Sequence, residues 1–143
     1  MNNIDGLDKL MKKLDDLKEK PSTNLGKAMM AGGFVLEGQV KVSMGAEKHG
    51  RRYGEHVASA PGEAPAIDMG ALVNSIQTEL VSATAERAEV QVFTNMKYAP
   101  PLEYGTAHIE ARPFMRPAAD ENEDEIGEAA RMVLKQLIEE AAG

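Results

Sequence analysis

IQTELVSATAERAEVQV, residues 76–92, decides the fold class of this 143-residue chain. Apolar or β-branched residues alternate with polar ones from Ile76 to Leu80, and the alternation resumes at Val90 and Val92. A period of two is typical of a strand with one buried face, and two such runs close in sequence predict a hairpin. Helical patterns lie on both sides. We therefore expect an α+β fold, in which a small antiparallel β-sheet, the hairpin core, packs against a long N-terminal helix and a C-terminal helix.

Two helices are predicted before the hairpin. In residues 1–20, Leu, Ile and Met recur at steps of three and four, which predicts an amphipathic helix that stops near Pro21. Ser22 or Thr23 can cap a second helix, whose apolar positions continue to Met44 with the same period. Each glycine in this second helix costs on the order of 1 kcal/mol relative to alanine. Its glycines therefore indicate close packing or a kink.

Further helices are predicted on either side of residues 76–92. Asp68 is placed to cap a short helix that leads into the first strand. The C-terminal helix, residues 120–141, has an apolar face, and Asp120 with Glu123 makes a capping box at its start. Acidic residues at this start favour the positive end of the helix dipole.

Residues 45–66 form a long connection rich in glycine, proline and charge, which predicts a loop. Connections of this length in compact domains are usually functional or disordered. If the chain assembles with other subunits, we expect the loop to be mobile in the free subunit and to become ordered against an adjacent subunit or a neighbouring ring. Arg51, Arg52 and Tyr53 would make the contacts, because Arg and Tyr form contacts at low entropic cost. A solvated loop that never orders is the alternative.

Composition limits the classes of function. The length fits one domain over residues 1–143, and the absence of cysteine excludes disulfides and thiolate metal sites. The chain shows no secretory signal and no apolar run long enough to span a membrane, so we expect assembly in the cytoplasm. The net charge is −7, and residues 120–143 carry eight acids against two bases. Without a basic stripe, specific binding to nucleic acid is not expected.

Candidate catalytic and metal-binding residues form no recognisable constellation. His49, His56 and His108 lack the spacing of metal ligands, and the glycines form no nucleotide-binding pattern. We predict no enzymatic activity, no catalytic residue, no metal and no cofactor. One alternative is a metal-dependent hydrolase or nucleic-acid-processing domain that uses Glu103, His108 and Glu110, and another is a cytosolic adaptor whose terminal helix binds a partner.

Residues 98–120, YAPPLEYGTAHIEARPFMRPAAD, concentrate four prolines and three aromatic residues. Proline fixes φ and Gly105 can adopt a positive φ, so this connector is predicted to hold one shape and to offer a docking surface. Tyr98, Tyr104 and Arg116 are of the types enriched in interfaces. Phe114 and Tyr104 are alternatively core residues that cover the hairpin.

Two segments within this connector resemble a known family. YAPPLEYGT, residues 98–106, followed by ARPFMRPA, residues 111–118, is similar to the paired signature of the tail-completion and head-tail joining (minor tail, neck) proteins of long-tailed bacteriophages. Upstream, SAPGEAPAIDMGALVNSIQ, residues 59–77, resembles the segment that precedes the hairpin of that family. The chain departs from the family pattern at Met69, where threonine is common, and at Pro100-Pro101, which fills two variable positions.

The resemblance implies a structural virion protein of the phage neck, a ring-forming component that joins the head to the tail tube around the DNA channel. It implies a homo-oligomeric ring with sixfold symmetry, contacts with neighbouring neck and tail proteins, and DNA that passes through the lumen without specific binding. No membrane is involved. The residues expected at subunit or assembly contacts are Arg51, Arg52, Tyr53, Tyr98, Glu103, Tyr104, Gly105, Thr106, Pro113, Phe114 and Arg116.

Overall fold

The computed structural model describes residues 4–45, 48, 50, 52–53, 56–57, 70–108 and 110–142. The prediction of mixed helix and strand is confirmed, and the strands Gln77–Ala83 (β3) and Ala88–Phe93 (β4) pair as the expected hairpin. A second pair of two-residue strands, Arg52–Tyr53 (β1) and His56–Val57 (β2), is antiparallel. In chain order the elements are α1 (Ile4–Asp15), α2 (Asn24–Gly45), β1 (Arg52–Tyr53), β2 (His56–Val57), α3 (Ala71–Ser75), β3 (Gln77–Ala83), β4 (Ala88–Phe93), α4 (Ala99–Tyr104), α5 (Arg116–Glu121) and α6 (Glu123–Ala142).

The chain divides into two compact units, each assembled from separate stretches of sequence. The first unit contains residues 1–37, 78–92 and 122–143, and the second contains residues 38–77 and 93–121. Helix α2 therefore contributes residues to both units. The hairpin strands belong mainly to the first unit, whereas the connector of residues 98–120 belongs to the second.

The core of the first unit joins α1, α2, α6 and the hairpin. Leu80 of β3 and Val90 of β4 pack against it, so the alternating pattern identified the inward face of the sheet correctly. The predicted packing of a small sheet against N-terminal and C-terminal helices is confirmed. Burying each large apolar side chain contributes roughly 1.5–3 kcal/mol. The buried members are Leu10, Leu14, Ala28, Met30, Ala31, Phe34, Ala129 and Val133.

Helix α2 begins at the predicted cap and is packed closely on the sheet. The Oγ1 of Thr23 accepts a hydrogen bond from the backbone N–H of Gly26 at 3.0 Å. A Cβ on Gly33 would lie 2.5 Å from Cγ2 of Thr78 and 2.8 Å from Cγ1 of Val90. Such distances are too short for any real side chain, so glycine at this position lets the hairpin approach the helix backbone.

The C-terminal helix starts differently from the prediction. Asp120 lies inside α5, and α6 begins at Glu123 after a break at Asn122, so the predicted capping box of Asp120 and Glu123 is wrong. The chain is already helical before Asp120, because α5 receives its cap from a distant side chain, Glu103. The apolar pattern of residues 120–141 includes Ile138, but this side chain is 54% exposed, so the buried face of α6 is narrower than the apolar pattern predicts.

Other boundaries also differ from the sequence patterns. Helix α1 ends at Asp15 and is shorter than the predicted residues 1–20. Within the predicted loop of residues 45–66, four residues form β1 and β2, and most of the others lie outside the described residues. The predicted cap Asp68 also lies outside them, and α3 begins at Ala71.

Candidate assembly surface

The connector of the second unit forms two short helices, α4 and α5. Pro100 and Pro101 lie in the first turn of α4, and Pro117 lies in the first turn of α5. A helix leaves its first N–H groups without intrahelical partners, so proline costs no hydrogen bond there, and its fixed φ suits the helical conformation. Three of the four prolines of the connector therefore lie at the beginnings of helices, and Pro113 lies in the segment between them.

The carboxylate of Glu103 joins these two helices. Glu103 is 4% exposed, and its Oε1 accepts hydrogen bonds from the backbone N–H groups of Phe114 and Met115, both at 2.9 Å. Its Oε2 accepts hydrogen bonds from the backbone N–H of Arg116 at 3.1 Å and from Arg116 Nε at 3.2 Å. An ionised carboxylate is a strong acceptor for the unpaired N–H groups at a helix start. Glu103 therefore caps α5 from thirteen positions upstream.

These contacts set the protonation state of Glu103. Burial desolvates the charge and raises the pKa of the carboxyl, whereas the backbone hydrogen bonds from Met115, Phe114 and Arg116 and the Arg116 side chain lower it. The lowering effects together prevail, so the pKa lies below the usual value of 4.5. Glu103 is therefore a structural anion at neutral pH, with both oxygens engaged.

Gly105 and Phe114 complete the inner side of the connector. Gly105 follows α4 with φ 76° and ψ 171°, a region that glycine alone enters without strain, and this confirms the predicted positive φ. Its N–H donates to the carbonyl of Pro101 at 2.8 Å, and the N–H of Arg112 donates to the carbonyl of Leu102 at 2.6 Å. Phe114 is 1% exposed and is therefore a core residue, whereas Tyr104 is exposed, so the alternative interpretation of Tyr104 as a core residue is wrong.

Tyrosine and arginine side chains form the outer side. Tyr104 is 67% exposed, and the side chain of Arg116 is 61% exposed. The guanidinium carbon of Arg116 lies 5.0 Å from the centroid of the Tyr104 ring, a cation–π arrangement. We call this pair the arginine–tyrosine platform. Tyr98 is also exposed, but six helical positions correspond to about 240° of rotation, so it lies on a different side of α4 from Tyr104.

The remaining predicted assembly residues have varied positions. Thr106 is exposed, and its Oγ1 accepts a hydrogen bond from a backbone N–H two residues ahead at 3.2 Å. Pro113 is partly buried just before the α5 cap. Arg52 and Tyr53 form β1, and Arg51 lies outside the described residues.

Sequence patterns do not predict two features of this surface. One is the capping role of Glu103, because a capping pattern is read from residues within one turn of a helix start. The other is Arg112, whose buried Nε has no hydrogen-bond partner among the described residues. The only sequence signal for either is that the acid and the arginine accompany the Gly-Thr and Pro-Phe pairs.

The three residues of the alternative enzymatic interpretation, Glu103, His108 and Glu110, lie in different environments. Glu103 is buried with its oxygens engaged, whereas His108 and Glu110 are exposed. In the described ranges, no three His, Cys, Asp or Glu residues gather so that they could hold a metal ion. No helix among those ranges is both long and apolar enough to cross a membrane. His56 lies in β2, and His49 is outside the described residues.

Comparisons with known proteins identify no relative. No protein-family model matches the chain, and neither a curated protein nor a solved structure matches it. The resemblance to phage neck proteins therefore depends on the motifs within residues 59–120.

Proposed function

We propose that the chain is a structural component of the neck of a long-tailed bacteriophage, a ring-forming tail-completion or head-tail connector protein. The observation that carries this proposal is the Glu103 cap. This cap binds the segment of residues 98–106 to that of residues 111–118, and the two segments form the paired signature that resembles neck proteins. The two segments that form the family signature are therefore also held together in the structure by direct hydrogen bonds.

The connector has the properties of a preformed docking surface. Glu103 and Phe114 are buried and fix its shape, while Tyr104 and Arg116 are exposed. A surface that is ordered before binding loses less conformational entropy on association. Tyrosine and arginine are also the residue types that supply much of the binding energy at protein interfaces. This division between inner and outer residues suits assembly better than turnover of a substrate.

The proposal assigns specific partners and a location. The chain assembles with itself into a ring of six subunits and contacts neighbouring neck and tail proteins. It is made and assembled in the host bacterial cytoplasm and resides in the virion. DNA passes through the lumen without specific binding, and the net charge of −7 supports this because an acidic surface repels phosphates.

Neither alternative function gains support from a specific observation. The oxygens of Glu103 accept four hydrogen bonds, which leaves the carboxylate poorly placed to take a proton or bind a metal. For the cytosolic adaptor, α6 would have to offer its apolar face to a partner. Val133 is buried in the core of the first unit, and Leu134 and Leu137 pack against that core.

Electron microscopy and mass measurement of the purified chain test the proposal. We expect closed rings with a central opening and one subunit number by native mass spectrometry. Antibody against the chain should also label the head-tail junction of tailed particles from the source organism. A chain that forms no ring and is absent from such particles would refute the proposal.

A further inference from the structure

We propose that the arginine–tyrosine platform of one copy binds the acidic first turn of α6, Glu123–Glu125, of a neighbouring copy. This inference rests on the proposed function, because it names the contact by which the ring would assemble. The occupant is a second copy of this chain, and the complementary charges of the two surfaces select it.

The platform is built to receive a carboxylate. Arg116 Nε donates to Glu103 Oε2 at 3.2 Å, and the guanidinium lies over the Tyr104 ring. Among the described residues, the two terminal nitrogens of Arg116 have no hydrogen-bond partner. A guanidinium that is held at Nε and stacked on a ring presents these nitrogens in a fixed orientation, which suits a paired contact with carboxylate oxygens.

The first turn of α6 supplies exposed carboxylates of the opposite charge. Glu123, Asp124 and Glu125 are all exposed, and the described part of the chain gives none of them an ion pair or side-chain hydrogen bond. Glu128, in the next turn, is already paired with Arg131 at 3.2 Å. The positive end of the helix dipole stabilises the three acids where they lie. These three carboxylates are therefore available to a cation of another molecule.

The symmetry of such a contact agrees with a ring. The platform and the acidic turn consist of different residues, so a contact between them is heterologous. A contact of this heterologous kind forms a closed ring when the rotation between copies closes. Copies with a net charge of −7 repel one another, and a local positive centre that meets the acidic turn offsets part of this repulsion.

Sedimentation equilibrium of the full chain tests the contact. The triple variant Glu123→Gln, Asp124→Asn, Glu125→Gln should weaken self-association at least about tenfold, and the association of the wild type should weaken with added salt. The matched control is Glu79→Gln, Glu86→Gln, Glu89→Gln, which neutralises three exposed acids of the hairpin. The control should change association by less than about twofold.

A double-mutant cycle with Arg116→Gln completes the test. The arginine variant and the acidic-turn variant should each weaken association, and their combination should lose no more than either alone, because both remove the same contact. Circular dichroism establishes that each variant is folded, and the acidic-turn variant keeps the test decisive if Arg116→Gln unfolds.

Three results would overturn the inference: equal association of the acidic-turn and control variants, multiplicative losses in the cycle, or a wild-type chain that does not self-associate. Rings that persist in the acidic-turn variant would refute this contact and leave the neck assignment intact. Absence from tailed particles would refute the neck assignment, whatever the variants show.

Discussion

At the scale of single residues, Glu103 is the least expected feature of the molecule. A buried carboxylate is costly unless hydrogen bonds and opposite charge compensate its desolvation. Here three backbone N–H groups and one guanidinium do so, and they belong to consecutive residues at the start of α5. One side chain therefore determines where a helix begins and how the connector is folded. This role accounts for a glutamate beside the Gly-Thr pair without invoking catalysis.

Replacing Glu103 with glutamine tests this role. Glutamine keeps the shape, but it removes the charge and turns an amide donor toward backbone N–H groups that are themselves donors. We expect the free energy of unfolding to fall by about 2–4 kcal/mol, measured by urea denaturation. Glu110→Gln, at an exposed position in the same connector, should change it by less than about 0.5 kcal/mol. Equal effects of the two variants would show that the cap contributes little.

The lowered pKa of Glu103 predicts a pH dependence with a definite sign. Because the pKa in the folded state lies below the usual 4.5, the unfolded state binds more protons in the interval between the two values. The stabilisation from Glu103 should be complete above about pH 6 and should fall as the pH drops below 4.5 and through the folded pKa. The difference in unfolding free energy between wild type and Glu103→Gln should shrink over that interval. A constant difference down to acidic pH would contradict this prediction.

At the scale of helices and strands, the sequence predicts those elements whose signals come from residues close together in the chain. The inward positions of Leu80 and Val90 and the cap at Thr23 can be predicted, because each depends on residues only a few positions apart in sequence. The start of α5 is not readable in this way, because Glu103 caps it from thirteen positions upstream. For the same reason, a local capping pattern at Asp120 gave the wrong helix start. Of the candidate site, the chemical types of its residues are predictable and their arrangement is not.

Substitutions at two glycines of α2 distinguish the effect of packing on stability from the effect of helix propensity. Gly33→Ala should destabilise the fold by about 1–3 kcal/mol, because its Cβ would meet stiff β-branched side chains of Thr78 and Val90. Gly38→Ala is the matched control, since a Cβ at this exposed position meets nothing within 4 Å. It should stabilise the chain by about 0.5–1 kcal/mol. Thermal and urea unfolding of both variants measures the difference, and changes of the same sign would mean that the hairpin does not lie on α2 as described.

At the scale of the whole molecule, segments distant in sequence combine in each unit. The core of the first unit takes Leu14 from α1, Leu80 from the hairpin and Val133 from α6, so no single stretch of sequence contains it. Periodicity identifies these elements but does not say which of them share a unit. Charge, in contrast, follows the sequence directly, because eight of the acids fall within residues 120–143. This uneven charge bears on how the assembled protein would meet DNA.

If the chain forms the proposed ring around a DNA channel, its acidic surface should let DNA pass without binding it. The affinity of proteins for duplex DNA arises mainly from clustered Lys and Arg that neutralise phosphates, and it falls steeply with salt. This chain has 16 such bases against 23 acids, and its C-terminal segment is strongly acidic. We therefore expect no shift of duplex DNA in a gel assay at moderate salt, for either the subunit or the ring. Neutralising Glu123, Asp124 and Glu125 should leave that result unchanged, because removing acids creates no basic cluster. Micromolar affinity that weakens with salt would count against a passive channel and favour the nucleic-acid-processing alternative.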